Sequence, residues 1–220
     1  MNNRMMKTAT DIMMIIGLFM LMAYPLTGNA VHMWIGIAEF ILFAVHNVLN
    51  YKWYRSIFKG KYTPVRIMYI ITDFLTILSV IALFISAVIL SDCFGLIVIK
   101  SGKAFGRILH LLSAYWGFMF MSLHLGLHWN TVCKAVGNRI KTNTVYTVSL
   151  RAAAILIAVF GAYVFIKNDI LAYMFLKKQF VHFNLLHGKT VFFAEHIAMS
   201  GLWIFLSHYL SKIVKEKYRK

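Results

Sequence analysis

Val31-His32-Met33-Trp34-Ile35-Gly36-Ile37-Ala38-Glu39-Phe40-Ile41-Leu42-Phe43-Ala44-Val45-His46 is an apolar stretch interrupted by one carboxylate and two imidazoles. Hydrocarbon offers a backbone no hydrogen bonds, so such a stretch crosses lipid as a helix, which closes its own. The two histidines are fourteen residues apart, with Glu39 seven from each. Fourteen residues return a helix to within about 40° of its starting direction, about 21 Å further along the axis. His32, Glu39 and His46 therefore share one face.

The spacing recurs. Gly106-Arg107-Ile108-Leu109-His110 opens a second apolar stretch that closes on Ser122-Leu123-His124-Leu125-Gly126-Leu127-His128-Trp129, and His110 and His124 are again fourteen residues apart. The whole chain is 60% hydrophobic over 220 residues and has two prolines. That is more apolar surface than one soluble domain can hide. Runs of about twenty apolar residues can span the hydrocarbon core. Six are present, over residues 11–27, 30–50, 67–90, 107–131, 149–167 and 190–211, the first being the shortest. The expected fold class is all-α: a polytopic membrane helical bundle with six spans around a four-helix core that carries the histidines. No linker rich in Pro, Gly or Ser divides the chain, so residues 1–220 read as one membrane domain.

A formal charge of +16 does not point to nucleic acid here, because the basic residues sit between the apolar runs and stripe no soluble surface. They read as topology signals. Arg4, Lys7, Lys52, Arg55, Lys59, Lys61, Arg66, Lys134, Arg139, Lys141, Arg151, Lys212, Lys215, Lys217, Arg219 and Lys220 put sixteen charges on alternate connections. Lys100, Lys103, Arg107, Lys167, Lys177, Lys178 and Lys189 are the other seven. The imbalance puts both termini in the cytoplasm. Arg4 and Lys7 before an apolar stretch ending near Gly28 and Ala30 also resemble a signal peptide, with cleavage the less favoured reading. Tyr51, Trp53, Tyr54, Phe58 and Tyr62, set among basic residues, suit a headgroup-level connection. Residues 168–189, with Lys177, Lys178, His182 and His187, suit an amphipathic helix on the outer surface. Cys93 and Cys133 fall at opposite ends of neighbouring spans, too far apart for a disulfide.

An imidazole inside a membrane helix is costly without a partner, and marks an interhelical hydrogen bond, a pathway or a ligand site. One intervening span makes the two histidine helices parallel. His32 can then face His110, and His46 can face His124. Each pair can clamp a flat macrocycle from both sides. Haem iron needs only two axial protein ligands, whereas zinc wants three or four donors converging at one point. The pairs offer two donors at each of two depths. Without Cys-x-x-Cys-His, any haem is held by axial ligands and packing. Structural histidines and a proton or metal-ion path are the alternatives.

Several other residues accompany this set. Gly36 and Gly117 leave room beside the expected sites, as plain helix packing would also require. Arg107, a turn before His110, is placed for an outer haem propionate, and Lys52, Arg55 and Lys134 for an inner one, although membrane edges are basic anyway. Glu39 is protonated or paired, and either tunes a haem, couples proton uptake, or bonds a neighbouring backbone or hydroxyl group. His128 suits a propionate, a quinone headgroup, an alternative axial position or no ligand role. Glu195, His196 and His208 suit a proton route, a quinone pocket or structural polar contacts.

The His32-to-His46 stretch, the His110-to-His124 stretch with its His-Leu-Gly-Leu-His-Trp ending, and Ser207-His208-Tyr209-Leu210 before the basic tail resemble the membrane-bound b-type cytochromes, in which two parallel helices each carry two histidines fourteen residues apart. The chain is most similar to a small bacterial branch of that superfamily labelled as a domain of unknown function. The resemblance follows span order over nearly the whole chain. It implies His32, His46, His110 and His124 as axial ligands of two haem b groups, and electron transfer across a bacterial inner membrane. It also implies exchange with quinone and with a redox partner protein, as the membrane cytochrome subunit of an oxidoreductase. No Gly-x-Gly-x-x-Gly follows a strand to house a flavin or nicotinamide, so the partner must bring it. Glu39 has no place in the family pattern. The alternative function is a non-haem transporter that conducts protons or metal ions along Glu39, Glu195 and the membrane histidines. Broken helices near mid-membrane would favour it, yet Pro25 and Pro64 both lie at span ends. A structural anchor with a basic cytoplasmic face leaves the histidine spacing unexplained.

Overall fold

A computed structural model describes residues 3–91, 102–137, 144–179 and 188–218. Among them are nine helices and no strand: α1 (Asn3–Met22), α2 (Tyr24–Leu49), α3 (Tyr51–Ile57), α4 (Pro64–Leu90), α5 (Lys103–Leu127), α6 (Trp129–Gly137), α7 (Thr144–Lys167), α8 (Ile170–Met174) and α9 (Gly188–Lys217). Six of these, α1, α2, α4, α5, α7 and α9, are long and apolar enough to cross a membrane. The all-helical class and the six spans are as expected from the apolar runs.

One boundary shifts at the first turn, where α1 stops at Met22 instead of running on to residue 27. Pro25 explains it. In the first turn of α2 its missing N–H costs no hydrogen bond, whereas later in α1 it would break one. Ala23 alone joins the two helices, and its carbonyl accepts the backbone N–H groups of Leu26 and Thr27 at 2.8 and 3.0 Å. Gly28 then interrupts α2 with φ 76° and ψ 174°, a conformation open to glycine and strained for other residues. The break lies near the start of α2, so the uninterrupted helix beyond it matches the expected span over residues 30–50.

The chain divides into two compact units, residues 1–63 with 183–194, and residues 64–182 with 195–220. In the first, α1 and α2 form a hairpin whose contacts pair rising numbers on one helix with falling numbers on the other. Lys7 donates to Asn50 Oδ1 at 2.9 Å, and Asp11 meets His46 at 2.8 Å. Gly17 lies under the Glu39 carboxyl, and Leu21 lies opposite Gly36. That order is antiparallel. Residues 32, 36, 39, 46 and 50 are spaced by three, four or seven positions, so the histidine face of α2 is the face it turns to α1. The exposed face carries Trp34, Ile37, Ile41, Val45 and Val48 at the same spacing.

In the second unit, α4 and α5 pack antiparallel in one unbroken register. Ser86 meets His110, Ser79 lies against Gly117, Asp73 meets His124 and Tyr69 donates to the Leu127 carbonyl at 2.6 Å. The polarity of α4 is inverted relative to a soluble helix. Asp73 is 7% exposed and its neighbour Phe74 is 62% exposed, while Ser79 and Ser86 are buried and Leu78 and Ile85 are exposed. Polar groups turned inward and large apolar groups turned outward make sense when the solvent is hydrocarbon. The hydroxyls of Ser79, Ser86 and Ser122 donate to carbonyls three or four residues back, which satisfies them within their own helices.

The carboxyl-terminal part of α9 runs parallel to α5, with Phe118 against His196, the Ser122 and Ser200 hydroxyl oxygens 3.0 Å apart and Gly126 against Ile204. It runs antiparallel to α7, with Gly161 against the Ala198 carbonyl and Ile157 against Gly201. These small residues let backbones approach closely, which is how helices associate where lipid supplies no hydrophobic drive. The short α8 docks on α5 through Trp116, which donates to the Met174 carbonyl at 2.9 Å, and through Tyr115 stacked on Tyr173.

Candidate functional site

Each of the two hairpins turns its histidines toward the helix that precedes them in the chain. On α5, His110 Nδ1 lies 2.9 Å from Ser86 Oγ. The Ser86 hydroxyl hydrogen is already given to the Leu83 carbonyl at 2.8 Å, so its oxygen accepts and His110 Nδ1 donates. On the same helix His124 Nδ1 lies 2.6 Å from Asp73 Oδ1, and on α2 His46 Nδ1 lies 2.8 Å from Asp11 Oδ1. A carboxylate can only accept. All three imidazoles therefore carry their proton on Nδ1, which leaves the lone pair on Nε2. Asn50 Nδ2 approaches the His46 Nε2 lone pair at 3.5 Å.

His32 is placed differently. It hydrogen-bonds the backbone of Leu21, and the Tyr24 ring meets it edge-on at 5.2 Å between centroids. Glu39 lies between His32 and His46 as its spacing requires, with its carboxyl seated over Gly17 of α1 in space a Cβ would fill. Its Oε1 is buried and has no hydrogen-bond partner among the described residues.

The glycines expected to make room are filled by their hairpin partners. A Cβ on Gly117 would meet Ser79 Cβ at 3.3 Å, and one on Gly36 would meet the Leu21 side chain at 3.9 Å. Packing alone accounts for both. Arg107 is exposed one turn before His110, and Lys52 and Arg55 are exposed, with Arg55 over the Tyr51 ring at 5.4 Å. The side chain of Lys134 lies outside the described residues.

His128 joins a second constellation. Its ring lies 4.7 Å from that of His124 and edge-on to Tyr69 at 5.1 Å. Donor atoms of Asp73, His124 and His128 all lie within 4.8 Å of one another, close enough to converge on a cation. Lys215 extends over the Tyr69 ring, and His208 hydrogen-bonds the backbone of Gly126. His196 is buried against Phe118. Glu195 accepts from Lys167 and Asn168, each at 3.0 Å, a structural contact at the end of α7. Residues 168–189 were expected to form a surface helix. Their described part contains α8 and an ion pair of Lys178 with Asp169 at 2.9 Å, whose hydrogen bond and charge raise the Lys178 ammonium above its ordinary range. His182, His187 and Cys93 lie outside the described residues, and Cys133 is an exposed free thiol.

Asp11, Asp73 and Ser86 did not emerge from the sequence. The two acids left a signal, since only seven acidic residues occur in the chain and these two interrupt apolar runs. Ser86 left none, because serine is ordinary in a membrane helix. No family model, curated protein or solved structure matches this chain.

Proposed function

We propose that the protein carries electrons across a membrane as a b-type cytochrome with two haem groups. His32 and His110 are the axial donors of one, and His46 and His124 of the other, paired by the depth their spacing dictates. One observation carries the reading: His46, His110 and His124 each have Nδ1–H fixed on an acceptor from the preceding helix. An imidazole that ligates a metal through one nitrogen needs its other N–H anchored, because the anchor sets both tautomer and ring plane. Three of the four proposed donors are thus oriented as haem ligation would require. When bound, haem supplies a one-electron couple between two neutral imidazoles. The residues of this chain hold the rings, exclude water and neutralise the propionates, with Arg107 at one end.

In this reading the chain lies in a bacterial inner membrane with both termini cytoplasmic. It exchanges electrons with quinone and with a separate redox protein, and His128, His196 and His208 are candidates for the quinone site. The reduced-minus-oxidised spectrum of the purified protein should show a b-type band with two haems per chain. His46→Ala should remove about half of that haem, since one of two bis-imidazole sites loses a ligand. A folded, colourless preparation would sink the reading.

The converging Asp73, His124 and His128 favour a second reading, a transporter that binds a divalent transition metal or relays protons through this cluster. Equilibrium dialysis of the purified chain against zinc separates the two. Saturable binding that is lost in His128→Ala, in a protein without haem, would favour the transporter.

A further inference from the structure

Resting on the transition-metal branch of the second reading, we propose that Asp73, His124 and His128 hold one divalent transition-metal ion through three protein donors and leave a coordination position open to a small exogenous ligand. All three residues belong to one compact unit and to one hairpin, α4 with α5 and the residue that caps it. His124 and His128 are four residues apart at the carboxyl end of α5, so their rings share a helix face, with centroids 4.7 Å apart. Asp73 reaches the same place from α4, because the antiparallel register seats it opposite His124. A hydrogen bond of 2.6 Å between the two preassembles two of the three donors. Donors bound tetrahedrally at about 2.0–2.2 Å lie about 3.4 Å from one another. The three donor atoms here all lie within 4.8 Å, so closing on an ion asks only for side-chain shifts of about 1 Å.

The surroundings suit a cation. The Asp73 side chain is 9% exposed, so its carboxylate meets the ion in a medium of low dielectric, where its charge counts most. His124 lies one turn from the end of α5 and His128 caps that end, which puts the site near the margin of the span, where an ion need not cross the hydrocarbon to reach it. Tyr69 donates its hydroxyl hydrogen to the Leu127 carbonyl at 2.6 Å and meets the His128 ring edge-on, orienting that ring from α4. Two imidazoles and one carboxylate select zinc, cobalt or iron(II) over calcium and magnesium, which prefer oxygen donors alone. Among the described residues no fourth His, Cys, Asp or Glu joins the group. Three protein donors leave the shell incomplete, as in zinc sites that take up water or substrate and unlike closed structural ones.

Cobalt(II) is the probe, because its visible spectrum reports its coordination. The full-length chain in detergent, treated with chelator and desalted, is titrated with cobalt chloride, and bound cobalt and haem are counted per chain. One cobalt per chain is expected, and azide should change its spectrum. Asp73→Asn and His128→Ala should each lose stoichiometric cobalt, while Cys133→Ser keeps it. One cobalt per chain with a spectrum that azide does not move overturns the open position and leaves the second reading standing. Stoichiometric cobalt retained in His128→Ala overturns the donor set, and that variant alone decides should Asp73→Asn fail to fold. A wild-type chain that binds no stoichiometric cobalt, or that carries two haems, removes the second reading and the inference with it.

Discussion

Asp73 and Ser86 both orient a histidine on α5, and the difference between them is charge. Removing the Ser86 hydroxyl leaves one neutral imidazole N–H unpaired, a loss of about 1 kcal/mol. Removing the buried Asp73 carboxylate breaks a short charge-assisted bond, at about 3 kcal/mol. Thermal unfolding in detergent should therefore rank Asp73→Ala well below Ser86→Ala in stability, and equal midpoints would contradict the accepting roles assigned to the two groups. The histidines themselves were legible from spacing alone. Their partners were not, because an acceptor on the neighbouring helix has no fixed sequence distance from the imidazole it holds.

At the scale of elements, the close approaches decide what each helix tolerates. A Cβ on Gly161 would lie 2.1 Å from the Ala198 carbonyl oxygen, and that backbone cannot swing aside. A Cβ on Gly17 would collide only with the end of the Glu39 side chain, which can rotate away. Gly161→Ala should cost about 1–3 kcal/mol as α7 and α9 are forced apart, and Gly17→Ala markedly less, both measured by thermal melts. Gly28→Ala, with no atom within 4 Å of the added carbon, should cost about 1–3 kcal/mol through backbone strain alone. The span positions came through from hydropathy because lipid demands length and apolarity. The end of α1 did not, since hydropathy is blind to a proline that prefers to begin a helix.

For the whole molecule, six apolar helices and inward-facing polar groups on α4 make a multi-pass membrane protein. The proposed orientation, with both termini cytoplasmic, is one that labelling can test. In a Cys93→Ser background, the exposed thiol of Cys133 should react with a membrane-impermeant maleimide in inverted vesicles and stay protected in sealed cells, and Lys59→Cys should behave alike. Lys103→Cys should show the opposite pattern. Cys133 and Lys59→Cys reacting from opposite sides would break the topology.

The sequence by itself determined the class of solvent, the number of spans and the four spaced histidines, because those depend on composition and on the fixed pitch of a helix. It left open what each histidine touches. The tertiary structure decided that the histidine face of each helix is turned to the helix before it, that Asp11, Ser86 and Asp73 take the Nδ1 protons, and that Gly36 and Gly117 serve packing. It also brought His128 into the company of Asp73 and His124. The physical reason is that a helix's own geometry sets which residues share a face, while the register between two helices, settled by small residues and buried polar pairs, sets what that face meets.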